Sequence, residues 1–185
     1  MKQPLNIANR LTLLRVLMVP LYVYFYLDSH LIPAPYNQIV ALVIFVVACF
    51  TDYLDGHLAR ARHLVSNFGK FMDPLADKLL ICSALICFVE SGEMAAWVVV
   101  ILIGREFIIS GFRLVAATEG VVIAADIWGK SKTVVQMIAV IMLLVPYEAQ
   151  WFYVMQQVMV YASVVLTVIS VVNYMKNNWQ VLQSQ

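Results

Sequence analysis

The chain reads as an all-α integral membrane protein with six spans. Three observations predict this. Of its 185 residues 63% are hydrophobic and only 12% charged, the apolar runs show no sustained alternation, and the basic residues gather on one set of connections. Soluble domains are nearer half apolar and a quarter charged, and a soluble fold of this size cannot hide so much apolar surface. Without alternation a membrane β-barrel is excluded. The net charge of +1 gives no sign of a nucleic-acid partner.

A helix needs roughly 20 residues to cross the hydrocarbon. The first span is expected at Leu11–Leu27, closed by Asp28-Ser29-His30, with a short juxtamembrane helix ahead of it. The second is expected at Tyr36–Arg60 and the third at Pro74–Val89, the latter closed by Glu90-Ser91-Gly92-Glu93. The fourth covers Met94–Ala116, the fifth Lys130–Pro146 and the sixth Trp151–Tyr174, with Pro146-Tyr147-Glu148 as the break between the last two. Longer connections fall at 61–73 and 117–129. No internal repeat or low-complexity segment divides the chain, so residues 1–185 are read as a single domain.

Orientation follows from charge. With both termini in the cytoplasm, all twelve Lys and Arg lie on or toward that side: Lys2, Arg10, Arg15, Arg60, Arg62, Lys70, Lys78, Arg105, Arg113, Lys130, Lys132 and Lys176. The opposite connections carry only Asp28, Glu90, Glu93 and Glu148 as charges. Tyr22, Tyr24, Tyr26, Trp97, Tyr147 and Trp151 lie toward outer span ends, where interfacial aromatics are expected. Cys49, Cys82 and Cys87 all lie in apolar runs and read as small core residues, not disulfides or a zinc site. The first apolar run follows a polar segment bearing Arg10 and Arg15 and shows no clear cleavage site, so it reads as a span rather than a signal peptide.

Four aspartates interrupt this apolar pattern in the stretch DYLDGHLARARHLVSNFGKFMDPLAD, residues 52–77. Asp52 and Asp55 are spaced i, i+3, and Asp73 and Asp77 i, i+4, so on helices each pair shares a face. One pair ends the second span and the other opens the third, which as antiparallel neighbours can bring both pairs together at the cytoplasmic rim. Four carboxylates so gathered cannot all ionise unaided. A divalent ion relieves the repulsion, and an all-oxygen ligand set favours Mg²⁺ or Mn²⁺. Asp73-Pro74 also has the form of a helix start, with aspartate at N-cap and proline at N1, a structural role that competes with metal binding.

The spacing is Asp52-x-x-Asp55-Gly56-x-x-Ala59-Arg60, eight residues, then Gly69-x-x-x-Asp73-x-x-x-Asp77. It resembles the signature of the CDP-alcohol phosphatidyltransferases at every defined position, and the six-span topology resembles that family over the rest of the chain. The resemblance implies a transferase that uses Mg²⁺ or Mn²⁺, as two ions, to move a phosphatidyl group from a CDP-linked lipid to an alcohol, releasing CMP. It implies Asp52, Asp55 and Asp73 as metal ligands, with Asp77 as general base and further ligand. Gly56, Ala59, Arg60 and Gly69 would accommodate the CDP-lipid. Asn9 and Thr12, within Asn9-Arg10-Leu11-Thr12-Leu13-Leu14-Arg15, resemble the family's element bordering the nucleotide, while Arg15 has an alternative reading as an interfacial anchor. A homodimer is also implied. The plain N-terminus, without transit-peptide composition, points to a bacterial plasma membrane instead of an organelle, and the placement of the basic residues puts the active site on its cytoplasmic side.

The acceptor must be read elsewhere. Arg105 and Glu106 interrupt the fourth span, Arg113 follows two turns later, and Lys130 and Lys132 open the fifth. Charges within a span face a cavity or a partner, and clustered cations suit an acceptor bearing its own phosphate. A topological role explains Lys130 and Lys132 but explains Arg105 poorly. The strings GRE, GKSKT and DPLADK resemble the branch of the family whose acceptor is glycerol 3-phosphate. The expectation is therefore transfer from CDP-diacylglycerol to glycerol 3-phosphate, with Arg105, Arg113, Lys130 and Lys132 cradling the acceptor phosphate. The alternatives are a relative using inositol phosphate, serine or phosphatidylglycerol, a divalent-cation transporter, or a non-catalytic membrane scaffold. A transporter would need acids near the midplane, whereas these lie at one rim.

Overall fold

The computed structural model describes residues 7–28, 30–62, 67–118, 123 and 127–178; for 7–11, 52–62, 67–71, 73, 74 and 118 it describes the backbone alone. Among the described residues the chain forms six α-helices and no strand: α1 Ile7–Leu27, α2 Tyr36–Arg62, α3 Asn67–Glu90, α4 Ala96–Thr118, α5 Ile127–Leu144 and α6 Gln150–Asn177. No separate juxtamembrane helix stands ahead of the first span among these residues, because α1 runs unbroken from Ile7. Of the connection expected at 61–73, residues 61 and 62 belong to α2 and 67–73 to α3, and 63–66 lie outside the described residues. Helix α3 begins at Asn67 and continues through Asp73-Pro74, so that pair is not a helix start.

Helices α5 and α6 are long and apolar enough to cross a membrane. Thr12–Leu27 and Tyr36–Thr51 are shorter apolar stretches. Helix α4 has the length but carries Arg105, Glu106 and Arg113, and the aspartate motif occupies the end of α2 and the start of α3. Large apolar side chains remain exposed on the outer faces of the helices, among them Leu17, Val43, Ile86, Phe107, Val134 and Val158. Apolar surface on that scale is suited to lipid, not water.

The helices group into two compact units. In the first, holding α1, α2, α3 and residues 144–146, α1 packs along both α2 and α3, which among the described residues touch one another over a shorter stretch. The buried stripe of α1 is Thr12, Arg15, Val19, Tyr22 and Tyr26, alternating steps of three and four so that one face meets both partners. Tyr22 stacks on Tyr26 at 5.8 Å between ring centroids, meets Phe45 of α2 at 5.9 Å, and Tyr26 meets Phe88 of α3 edge-on at 5.6 Å. Tyr22 and Tyr26 are therefore core residues, correcting their reading as interfacial aromatics; Tyr24, between them in sequence, is exposed as expected. Arg15 is 1% exposed, so it is not an interfacial anchor either.

A hydrogen-bonded cap ends α3. Gly92 adopts φ +77°, its N–H donates to the carbonyl of Val89, and the Glu93 N–H donates to the carbonyl of Phe88 at 2.9 Å. This pattern needs a left-handed residue at Gly92 and satisfies two of the helix's terminal carbonyls. It brings Ser91 and Glu93 beneath Tyr26, whose hydroxyl lies 3.1 Å from Ser91 Oγ.

The second unit holds α4, α6 and α5 up to Leu143. Helix α4 buries Val98, Val99, Leu102, Arg105, Ile109, Phe112 and Ala116. Helix α6 buries Gln156, Val160, Ser163, Val164, Thr167, Ser170 and Tyr174. With Val99 and Val164 set to one side, each series steps four, three, four, three, four, the spacing of a straight seam, and α4 packs on α6. The α6 seam is largely polar. Lipid removes the hydrophobic drive between helices, and small or hydroxyl side chains permit close packing. Ser163 and Thr167 satisfy their hydroxyls on the carbonyls of Val160 and Ser163, at 2.7 and 2.6 Å. Gln156 donates instead across to the Met142 carbonyl of α5 at 2.8 Å.

Burial raises the pKa of the Glu93 carboxyl above the ordinary carboxylate range, the hydrogen bond from Tyr26 offsetting part of this. The unfolded carboxylate ionises at the ordinary pKa, so folding stability falls as pH rises from that value through the folded pKa. Glu93→Gln should therefore raise the melting temperature of the detergent-solubilised protein at pH 8, with the gain vanishing near pH 4. A lower melting temperature for the variant at pH 8 would show that the ionised carboxylate is needed there.

Candidate active site

Helix α4 delivers Arg105 and Glu106 at successive positions, and α5 delivers Gly129, Lys130, Lys132 and Thr133 from its first turns. Glu106 Oε1 accepts from Arg105 Nη1 at 3.1 Å and from Lys132 Nζ at 2.5 Å. Arg105 is 8% exposed and Lys132 1%. Cations so enclosed need such a counterion, because an unpaired buried charge is strongly destabilising. The second Arg105 nitrogen, Nη2, donates to Ser170 Oγ of α6 at 2.7 Å.

A cavity of about 370 Å³ opens on α4 and α5, lined by Arg105, Glu106, Arg113, Gly129, Lys130, Thr133 and Val134. Arg113 Nε donates to the Tyr174 hydroxyl at 3.4 Å, and its guanidinium carbon stands 5.7 Å from the ring centre. Arg113 and Lys130 are exposed. Three cations thus line the cavity with one carboxylate, which Lys132 and Arg105 already engage. The surplus is positive, and its size suits a small anion-bearing molecule. Arg105 also borders an apolar groove of about 390 Å³ between α4 and α6.

The four cations expected to act together are divided by this geometry. Arg105, Arg113 and Lys130 reach the cavity; Lys132 is buried against Glu106 and is not one of its lining residues. Of the motif residues, Asp52, Asp55, Gly56, Ala59 and Arg60 fall on α2 and Gly69 and Asp73 on α3, with side chains outside the described residues. The Asn9 side chain also lies outside them. Asp77 is half-buried on α3, and Thr12 is fully buried on α1. Among the described residues no group of three His, Cys, Asp or Glu is placed to hold a metal. The continuity of α3 through Pro74 does remove the capping role as the reason for Asp73. All four motif donors are carboxylates, and their positions pair on each helix at i, i+3 and i, i+4, a set chemically suited to hard divalent ions.

Ser170, Tyr174 and the close approach at Gly129 were not foreseen from sequence. The signal for the first two lies in the regular series Ser163, Thr167, Ser170, Tyr174, a polar seam inside an otherwise apolar span.

The model of the CDP-alcohol phosphatidyltransferase family matches residues 5–169. The chain belongs to that family. A Bacillus subtilis (strain 168) member, named CDP-diacylglycerol--glycerol-3-phosphate 3-phosphatidyltransferase, is 38% identical over 97% of this chain and 98% of its own. Proteins of the same name from Haemophilus influenzae and Rickettsia bellii are 36% and 30% identical, over 92% and 95% of this chain and 92% and 97% of theirs. For this phosphatidyltransferase the buried triad of Arg105, Glu106 and Lys132 is a structural element, and its Arg105 and Glu106 also line the cavity. Glu106→Ala should lower its unfolding free energy by about 3 kcal/mol or more, because Lys132 would keep its charge without that carboxylate. The double variant Glu106→Ala/Lys132→Met should recover much of the loss, measured by denaturant titration in mixed micelles; no recovery would show that the pair does not carry the stability.

Proposed function

We propose that this chain transfers the phosphatidyl group of CDP-diacylglycerol to glycerol 3-phosphate, forming phosphatidylglycerophosphate and CMP. The observation that carries the acceptor assignment is the cation-rich cavity lined by Arg105, Arg113 and Lys130. The names of relatives matched over nearly their whole length support the same acceptor. Neutral or zwitterionic acceptors such as inositol or serine would leave that positive surplus unused.

Arg113 and Lys130, exposed at the cavity, hold the acceptor phosphate, and Arg105 forms its inner wall. The primary hydroxyl oxygen of glycerol 3-phosphate attacks the lipid-bearing phosphorus. The bond from that phosphorus to the bridging oxygen breaks, CMP leaves with the electron pair, and Asp77 takes the hydroxyl proton. Asp52, Asp55, Asp73 and Asp77 would hold Mg²⁺ or Mn²⁺, which when bound neutralises charge on the diphosphate. Gly56, Ala59, Arg60 and Gly69, with Asn9 and Thr12, accommodate the CDP-lipid.

The six helices serve as six spans of one membrane domain, with both termini and the reaction site on the cytoplasmic side of a bacterial plasma membrane. The distribution of all twelve basic residues supports that orientation. A site at this boundary reaches both a water-soluble nucleotide and a lipid whose chains stay in the bilayer.

Purified protein given CDP-diacylglycerol and a panel of acceptors should label glycerol 3-phosphate and leave serine and inositol unlabelled. Chelation of divalent ions should stop turnover, and Mg²⁺ or Mn²⁺ should restore it. Asp77→Asn should lower kcat by a factor on the order of 10² to 10⁴ with the melting temperature retained. Labelling of serine or inositol alone would overturn the acceptor assignment, and turnover that survives chelation would overturn the metal role.

A further inference from the structure

Arg105 meets the cavity in a fixed pose, and the source of that constraint is not the motif. The bond from Nη1 to Glu106 joins neighbouring residues on α4 and does not by itself tie the guanidinium to another helix. The bond from Nη2 to Ser170 spans 65 residues and crosses to α6. A planar guanidinium held at both terminal nitrogens has its plane set, so its remaining N–H vectors point in determined directions. Ser170 is itself 1% exposed. Its neighbours along the seam, Ser163 and Thr167, turn their hydroxyls onto their own helix, whereas Ser170 meets Arg105.

Helix α5 closes the third side. A Cβ added at Gly129 would stand 2.9 Å from Arg105 Nη2 and 3.7 Å from Ser170 Oγ. The first distance is shorter than side chains tolerate, so any residue larger than glycine displaces the guanidinium. Glycine within a helix costs roughly 1 kcal/mol against alanine, and here the room for Arg105 accounts for it.

We infer that Ser170 is a positioning residue for the acceptor: its hydroxyl, with the space left at Gly129, holds the Arg105 guanidinium in the wall of the phosphate-binding cavity. This rests on the proposed acceptor reading. Ser170 touches neither substrate; it acts through Arg105, and a purely structural role would change stability without distinguishing donor from acceptor.

The test uses the full-length protein in mixed micelles, with KM measured separately for CDP-diacylglycerol and glycerol 3-phosphate. Ser170→Ala removes the bond and Gly129→Ala displaces its donor, so both should raise the acceptor KM about tenfold while moving the donor KM less than about twofold. Ser170→Thr, which keeps the hydroxyl, should stay closer to wild type than Ser170→Ala. Should Ser170→Ala fail to fold, Gly129→Ala carries the test alone, because the atom it strikes is the end of a flexible side chain. An unchanged acceptor KM in the folded variants, or equal shifts in both KM values, overturns the inference while wild-type turnover with glycerol 3-phosphate leaves the function standing. A wild-type protein inert toward glycerol 3-phosphate overturns both.

Discussion

One carboxylate organises the second unit of this protein. Glu106 accepts from Arg105 and Lys132 at a single oxygen, joining the middle of α4 to the start of α5, and Arg105 carries the connection on to Ser170 of α6. Two cations and one anion leave the group with a net positive charge. A hydrophobic replacement could pack three helices as well or better. It could not place the Arg105 guanidinium in the wall of a cavity. Arg105 and Glu106 therefore serve both the packing of α4 and the lining of the cavity, while Lys132 engages Glu106 from a buried position.

The helices that present this group leave large apolar side chains exposed on one side and pack through the other. Where lipid surrounds the outer faces, apolar residues face outward and contacts are made by seams with alternating steps of three and four. The buried face of α6 is largely polar, with Val160 and Val164 as its apolar members; that of α4 is apolar except for Arg105. An arginine in an apolar seam must find acceptors in its neighbour, and the hydroxyl seam provides one at the same level. In the first unit the corresponding role falls to aromatics: Tyr22 and Tyr26 of α1 reach Phe45 and Phe88, so α1 binds α2 and α3 more extensively than they bind each other.

Much of this could be read in the sequence, because hydrophobic runs and the one-sided placement of lysine and arginine are strong signals in membrane chains. The six helices lie close to their expected spans, and the aspartate signature led to the family. The errors share a cause. Pro74 looked like a helix start, but a proline inside a membrane helix is tolerated where surrounding structure satisfies the freed carbonyl, and α3 runs through it. Depth along the span suggests the lipid boundary for Tyr22 and Tyr26, and as one alternative for Arg15, yet depth does not say which way a helix face points. Lys132 was grouped with Lys130 by proximity, although two residues apart on a helix face different directions. Ser170 was invisible for a simpler reason: a serine in a span becomes meaningful only when a partner 65 residues away is seen to reach it.

The proposed function divides the chemistry between the aspartate motif, for the nucleotide lipid, and the cation-rich cavity, for the acceptor. The acceptor half of that division is tested most directly by equilibrium binding of radiolabelled glycerol 3-phosphate to the purified protein, with CMP and Mg²⁺ present and no lipid donor. Saturable binding that unlabelled glycerol cannot displace, and that weakens at least about tenfold in Arg113→Ala/Lys130→Ala, is the expected result. Binding unaffected by that double substitution, or displaced equally well by glycerol, would contradict recognition of the acceptor through its phosphate at this cavity.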